Sequence, residues 1–393
     1  MSAAHGAAPP GRRIRLGMVG GGEGAFIGAV HRIAARLDDE YELLAGALSA
    51  SPEKALRSAQ ALGLARAYPD YATMARAEAA RADGIEAVAI VTPNDQHAPV
   101  AEAFLAAGMH VICDKPVSTT LAQALRLQEL ARARGRILAV TYNYSGYPMV
   151  RHARRMLRDG ALGTLRMVHV EYLQDWLTEA LEETGQKQAL WRTDPARAGA
   201  GGCIGDIGTH AYQLAAFVTG LKTHSLCAEL SRFVPNRALD DDAQILLRYV
   251  GGARGMLWAS QVAPGNANEL RLRVYGSKGG IEWSQELPNQ LHWSPFGQPT
   301  QKIERGTAAA NADAARVTRL PAGHPEGYLE GFASVYTEIA QALRAARNGA
   351  AAPKELSFPD ITDGVHGMAF IEAAMRSSRQ GGEWVGVGVD EAL

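Results

Sequence analysis

Between residues 14 and 141 the chain alternates short apolar runs with segments of helical spacing, and this alternation leaves few folds open. Runs at 14–19, 41–48, 85–91, 109–113 and 137–141 have the length of strands. The run IEAVAIV at 85–91 is nearly all apolar, as a strand buried on both faces of a parallel sheet should be. Between the runs, 27–37, 71–81, 99–107 and 121–134 carry helical spacing. A further helix opens at Ser51-Pro52, a serine cap with proline in the first helical position. Strand and helix in such succession give a parallel sheet with right-handed crossovers and helices on both faces.

The rhythm changes after about residue 147. A helix at 149–158 leads into a strand at 165–172, a glycine-rich stretch and a helix at 206–218. Strand-like runs follow at 225–233, 243–249, 254–261, 270–275 and 280–283. Short turns at Gly251-Gly252 and Ser277-Lys278-Gly279 predict an antiparallel meander. The stretch 298–321 is the least patterned and reads as a long surface loop, and helices at 326–347 and 360–379 close the chain. At roughly 150 residues per domain, 393 residues give two domains or two with an insertion. The reading is α/β throughout: a loose tail over 1–13, a first domain over 14–146 and a second over 147–393, whose last helix is available to pack back on the first.

Composition removes several function classes. Forty Lys and Arg against 41 Asp and Glu leave a net charge of −1, with no electrostatic footprint for nucleic acid or an anionic membrane. Cys113, Cys203 and Cys227 form neither a disulfide framework nor a zinc pattern, which fits a reducing compartment. No apolar run approaches the roughly 18 residues of a membrane span. Arg12-Arg13 is followed at once by a strand pattern rather than a cleavable apolar region. A cytoplasmic protein with a small-molecule partner is the expectation.

Eleven of the 42 glycines fall in two short stretches, 17–28 and 199–208. The first lies between the first strand and the first helix, where backbone amides can face a pyrophosphate with no side chains in the way. Gly20-x-Gly22 is followed by five residues before Gly28, where two are usual, so the turn is enlarged by residues 23–27. Its place on the first strand of a βαβ series favours dinucleotide binding at Gly20, Gly22 and Gly28 over an ordinary glycine-rich turn. At the end of the second strand, where NAD proteins usually carry an acid for the ribose, stand Ser49 and, one turn on, Lys54. These suit a 2′-phosphate, although a solvated Lys54 is the plainer account, and both NAD and NADP stay open.

Ligands of doubly wound sheets bind outside the carboxyl ends of the strands. Three such ends are polar: Thr92-Pro93-Asn94-Asp95-Gln96-His97, Asp114-Lys115-Pro116 and Thr141-Tyr142-Asn143-Tyr144. Lys115, between a buried strand and a proline, cannot easily snorkel away and is well placed as a proton donor, with pairing to Asp114 as the structural alternative. In the second half, Asp206 and His210 are four apart and share one face of the expected helix. An aspartate can hold a histidine in one tautomer, but a plain structural hydrogen bond fits equally. No third ligand stands at a fitting spacing, which argues against a metal.

Taken together, Gly28-x-x-His31, Thr92-Pro93-Asn94-x-x-His97, Cys113-Asp114-Lys115-Pro116 and Gly201-Gly202-x-x-x-Asp206-Ile-Gly-Thr-His210 resemble the Gfo/Idh/MocA family, which includes glucose–fructose oxidoreductase and inositol 2-dehydrogenase. The resemblance covers nearly the whole chain. It implies an N-terminal Rossmann domain, with Thr92, Pro93, Asn94, His97 and Lys115 near the cofactor. It also implies a C-terminal α/β domain with an open, mainly antiparallel sheet used for subunit pairing, hence a homo-oligomer. The activity implied is NAD(P)-dependent oxidation or reduction of a sugar, cyclitol or related polyol, with Lys115, Asp206 and His210 at the reacting carbon. Tyr142, Trp176, Trp191, Arg192 and His324, beside the motifs, are candidates for gripping hydroxyls together with His210; core packing serves each aromatic equally well. Two departures matter: Asp114 stands where the family commonly has Glu, and the glycine turn is enlarged. A glycoside-cleaving enzyme using transient oxidation and a non-catalytic dinucleotide sensor are the alternatives.

Overall fold

The structure is a computed structural model and describes residues 12–388. Most of the expected tail lies outside the described residues; Arg12 and Arg13, at its end, pair with Glu86 at 3.0 Å and Asp39 at 2.5 Å. The chain forms two compact units.

The first unit holds a six-stranded sheet with strands β1 (Ile14–Gly20), β2 (Tyr41–Ala47), β3 (Arg66–Ala67), β4 (Ala87–Val91), β5 (His110–Cys113) and β6 (Leu138–Val140) in the order β3-β2-β1-β4-β5-β6. Every pairing is parallel. All five residues of β4 are buried, as its apolar run requires. The order reverses between β1 and β4, so the sheet has its switch point where α1 (Phe26–Leu37) leaves β1 and α2 (Pro52–Ala61) follows β2.

This unit is not continuous in sequence, because it takes in Tyr328–Gly364. The helix Tyr328–Arg347 lays Phe332, Val335, Tyr336, Ile339 and Leu343 against Ile14, Leu16, Val30 and Ala34. It is therefore the penultimate helix that packs with the first sheet, while the last helix, Ile361–Arg379, belongs to the second unit beyond its first turn. The approach is close: a Cβ on Gly146 would lie 2.0 Å from the Gly331 carbonyl oxygen.

Tyr336 also ties in His31, whose Nδ1 lies 2.7 Å from its hydroxyl, and accepts from the Tyr41 hydroxyl on its own carbonyl at 2.8 Å. Burial lowers the His31 pKa to about 4, against a smaller opposing pull from Asp114. The folded pKa lies below the unfolded one, so the contribution is complete above the unfolded pKa and is lost as pH falls toward the folded one. Acidification from about pH 7 to 5 should thus cost about 2 kcal/mol through this residue alone. Urea unfolding at both pH values checks this: His31→Gln should remove that share of the pH dependence, and an unchanged slope would refute it.

The second unit is built on a nine-stranded sheet. Its strands are β7 (Leu165–Leu173), β8 (Thr223–Ser231), β9 (Asp242–Tyr249), β10 (Arg254–Ser260), β11 (Glu269–Gly276), β12 (Gly279–Ser284), β13 (Gln290–Pro295), β14 (Gln301–Glu304) and β15 (Val385–Gly386). The order is β14-β13-β12-β11-β7-β10-β9-β8-β15, antiparallel throughout except for the parallel pair β7 and β10. The meander expectation therefore needs correcting at the centre, where β7 is inserted between β10 and β11. The stretch 298–321 is not one loop either: it holds β14 and a helix at Ala312–Arg316 whose N-cap Asn311 accepts from the Ala314 amide at 3.2 Å. One sheet face is apolar and buried, with Val168, Val170, Ile245, Leu257 and Leu272. Among the helices of this unit, Thr209–Thr219 and Ile361–Arg379 meet through Tyr212 and Phe370, stacked at 4.1 Å.

Candidate active site

At Gly20, Gly21, Gly22 and Gly28 the glycine turn is a seam that admits no side chains. Gly20 and Gly21 have φ of 80° and 71°, where an L residue is strained. A Cβ on Gly28 would sit 2.4 Å from Gly21 Cα, and one on Gly22 would sit 2.6 Å from the Leu48 carbonyl oxygen. A Cβ on Gly20 would meet the Val91 carbonyl oxygen at 2.7 Å and the Thr92 side chain at 2.8 Å, so Gly20 and Thr92 are neighbours. The turn is stitched in place by Gly22 N to Leu48 O (3.1 Å), Glu23 N to Ser58 Oγ (3.2 Å) and Arg32 Nη1 to Gly21 O (2.7 Å). Residue Ala25 caps α1 without a side-chain hydrogen bond, leaving helix-start amides suited to an anion. The enlarged turn opens a cavity of about 510 Å³ lined by Gly22, Phe26, Arg32, Ser58 and Leu62 among others.

Ser49 and Lys54 are both half-buried at the end of β2 and the start of α2, with the Ser49 hydroxyl accepting from Ser51 N at 3.2 Å. After β4, Asn94 and His97 are buried. The His97 ring nitrogens face two backbone carbonyls, Pro116 O at 2.6 Å and Thr92 O at 2.9 Å. His97 thus brackets the loops after β4 and β5 rather than presenting its ring to a ligand. Asp114 Oδ1 accepts from the Lys115 amide at 2.9 Å and from Thr141 Oγ1 at 3.0 Å. The short acid therefore fixes Lys115 through its backbone, and Lys115 itself is half-buried at a cis bond to Pro116. Tyr142 is only 1% exposed, a core position.

In the second unit, Asp206 lies in a π-helical turn, Ile204–Gly208, that runs straight into the helix Thr209–Thr219 and its buried His210. The single α-helix expected from 206 is thus a π turn followed by an α-helix. Asp206 Oδ2 accepts from Arg192 Nε at 3.2 Å and from Gln261 Nε2 at 2.9 Å. Arg192 in turn lies over the Trp191 ring, 4.3 Å from its centroid, and donates to Gln188 Oε1. His210 packs against Tyr172 edge-on, ring centroids 6.3 Å apart. Trp176 Nε1 donates to Gln174, whose amide shares Asn268 Oδ1 with the Tyr172 hydroxyl at 2.7 and 2.8 Å. Arg192, Trp191 and Asp206 are therefore brought together. His324 stands apart, exposed on a loop whose carbonyls are gripped by the buried Arg305–Glu326 pair.

Two family models match: residues 14–142 fit an oxidoreductase family with an NAD-binding Rossmann fold, and residues 150–282 fit the Gfo/Idh/MocA C-terminal domain. The chain belongs to the Gfo/Idh/MocA family of oxidoreductases. The uncharacterized oxidoreductase YfiI of Bacillus subtilis is 37% identical over 95% of this Gfo/Idh/MocA chain and 96% of its own. An oxidoreductase from Sinorhizobium meliloti of known structure is 52% identical, covering 95% of this chain and 100% of its own, with a TM-score of 0.87. An inositol dehydrogenase homolog from Azotobacter vinelandii, solved with NADH and myo-inositol, is 39% identical over 95% of this chain and 98% of its own, with a TM-score of 0.90.

The first unit of this Gfo/Idh/MocA oxidoreductase fits the dinucleotide on its own geometry. The seam leaves no room for a Cβ at Gly20, Gly21, Gly22 or Gly28, and Thr92 Oγ1 and Asn143 Nδ2 are buried at the carboxyl ends of β4 and β6 without hydrogen-bond partners. Asn143 stands in one of the polar strand ends read from the sequence, whereas Gln188, Gln261 and Asn268 were missed. Gln188 was within reach, four residues before Arg192 on one helix, Lys187–Arg192. Gln261 and Asn268 carry no local signal, because sheet register alone delivers them.

Proposed function

We propose that this oxidoreductase is an NAD-dependent dehydrogenase of a ring hydroxyl on a sugar or cyclitol. The observation that carries the reading is the half-buried Asp206 carboxylate, gripped by Arg192 and Gln261 on the turn that leads into His210. The relative from Azotobacter vinelandii, held with NADH and myo-inositol, supports the substrate class. Bound nicotinamide supplies the hydride acceptor or donor. Gly20, Gly22, Gly28, Ser49, Lys54, Thr92, Pro93 and Asn94 hold the cofactor, with His97 positioning two of its loops. One of Lys115 and His210 takes the hydroxyl proton in the oxidative direction, while the other hydrogen-bonds the oxygen as negative charge develops there. Asp206 orients this machinery, and Trp176, Trp191 and Arg192 contribute to hydroxyl recognition. Absorbance at the reduced-nicotinamide band, with a panel of inositols and hexoses and with NAD and NADP in parallel, tests this. Turnover with at least one panel member is expected, faster with NAD; product release from a glycoside without net absorbance change would overturn it.

We further propose that the open face of the second sheet pairs two copies. Leu246 and Met256 are register partners on β9 and β10, and both are exposed. Met167 pairs with the exposed Tyr275 on the neighbouring strands β7 and β11. Such a band of large apolar side chains costs solubility unless covered. Leu246→Lys combined with Met256→Lys should convert a dimer or tetramer to monomer by sedimentation velocity; a wild-type monomer would refute the proposal. No helix among the described residues is long and apolar enough to cross a membrane. A reducing, cytoplasmic setting is proposed with it, and Cys113, Cys203 and Cys227 are free thiols.

A further inference from the structure

Three consecutive aspartates, Asp240, Asp241 and Asp242, send their carboxylates to three different places. Asp242 accepts from the Trp258 indole at 2.9 Å. Asp241 accepts from the amides of Phe233 and Val234 at 2.8 and 3.0 Å and pairs with Arg237. Asp240 reaches the turn that carries the proposed chemistry: Oδ1 accepts from Gly202 N at 2.7 Å and Oδ2 from Ile204 N at 2.8 Å. Its backbone carbonyl takes the amide between them, Cys203 N, at 2.8 Å. One residue thus holds three successive amides at the entrance to the π turn.

The grip passes directly to Asp206. Gly202 O accepts from Asp206 N at 2.9 Å, so the residue clamped by Asp240 fixes the backbone of the proposed orienting acid. A side chain at 202 is excluded, since a Cβ there would lie 2.3 Å from the Asp240 carbonyl oxygen. The clamp thus caps the entrance to the π turn from a distance, the Gly202 amide being committed to a carboxylate 38 residues further on in sequence, that of Asp240. π turns are rare and recur at functional sites.

We infer that Asp240 is a positioning residue for the dehydrogenase reaction, setting the placement of Asp206 and the start of the His210 helix. This rests on the proposed roles of Asp206 and His210. Burial pushes the Asp240 carboxyl up to about 6, although two backbone amides pull it down. The charge acting on it is that of Asp241, itself paired with Arg237, and the buried Cys203 thiol feels Asp240 together with Asp242, Asp206 and Asp241. A carboxyl whose folded pKa is raised weakens the folded state as pH climbs through that value.

The test uses the full-length protein with NAD and myo-inositol, or another panel substrate that the wild type turns over. Asp240→Asn keeps one acceptor and should lower kcat about tenfold, and Asp240→Ala about a hundredfold, with KM for NAD nearly unchanged. Amide exchange read by mass spectrometry should speed up at 202–206 in both variants and stay as in wild type over the glycine turn at 17–28. The Asn variant should keep its melting temperature at pH 8. Wild-type kcat in the Ala variant, unchanged exchange at 202–206, or a kcat loss that merely tracks a fall in melting temperature would each overturn the inference. If the wild type oxidised no panel member, the parent reading would fall instead. The exchange measurement would then still decide whether Asp240 holds the turn.

Discussion

Lys115→Ala should lower kcat about a thousandfold while NADH affinity changes far less. Lys115 leaves a fully buried strand, β5, and is followed by a buried proline. Its amide is held by Asp114, and Asp114 is held by Thr141, so its backbone has little freedom. A cation fixed in this way can stabilise an alkoxide, or deliver a proton, without reorganising as the reaction proceeds. Lys115→Arg should recover little, because a planar fork does not replace a compact ammonium. Steady-state rates with NADH titration by fluorescence check this, with His210→Ala run alongside. Should both variants keep near-wild-type turnover with cofactor bound, the chemistry lies with other residues.

Gly28→Ala should be the most damaging single methyl in the glycine turn, because its clash is with backbone. The added carbon would sit 2.4 Å from Gly21 Cα and 2.6 Å from the Gly21 carbonyl oxygen, both backbone atoms that cannot swing aside. Parting α1 from the glycine turn should cost about 3 kcal/mol of stability. The same displacement spoils the approach to a pyrophosphate, so NADH affinity should fall roughly a hundredfold. Gly24→Ala is the internal comparison. Gly24 has φ of 76° but nothing within 4 Å of a Cβ, so it should lose only about 1 kcal/mol of backbone strain and leave affinity close to wild type. Equal losses in the two variants would show that strain in the turn, not the seam against α1, governs binding.

What the sequence made legible was whatever a residue's own neighbours enforce. The strand at 85–91 could be read because burial on both faces demands an unbroken apolar run. The strands β3 and β15 could not, since two residues each carry no period and exist only through their partners. For the same reason β14, with Ile303 its one apolar residue, looks like loop until β13 supplies its hydrogen bonds. Asp206 and His210 were found by spacing, but the Asp240 carboxylate that takes the amides at the entrance to their π turn is connected to them by no local pattern. His97 reads as a ligand-facing histidine from its motif, yet two backbone carbonyls claim its ring. Long-range register and buried polar partners are what a linear reading leaves out.

The helix Tyr328–Arg347 has a consequence for how the protein is made. Five of its buried apolar side chains complete the core around β1 and α1, at about 2 kcal/mol for each. A ribosome adding roughly 5–20 residues per second therefore finishes β6 long before that helix emerges. During this interval Ile14, Leu16 and Val30 belong to a core that lacks one wall. The intervening 147–327, by contrast, is contiguous and contains eight of the nine strands of its own sheet. The first unit is thus begun first but stays open until Tyr328–Gly364 has been made, and nascent chains held before residue 328 should be the ones most in need of a chaperone.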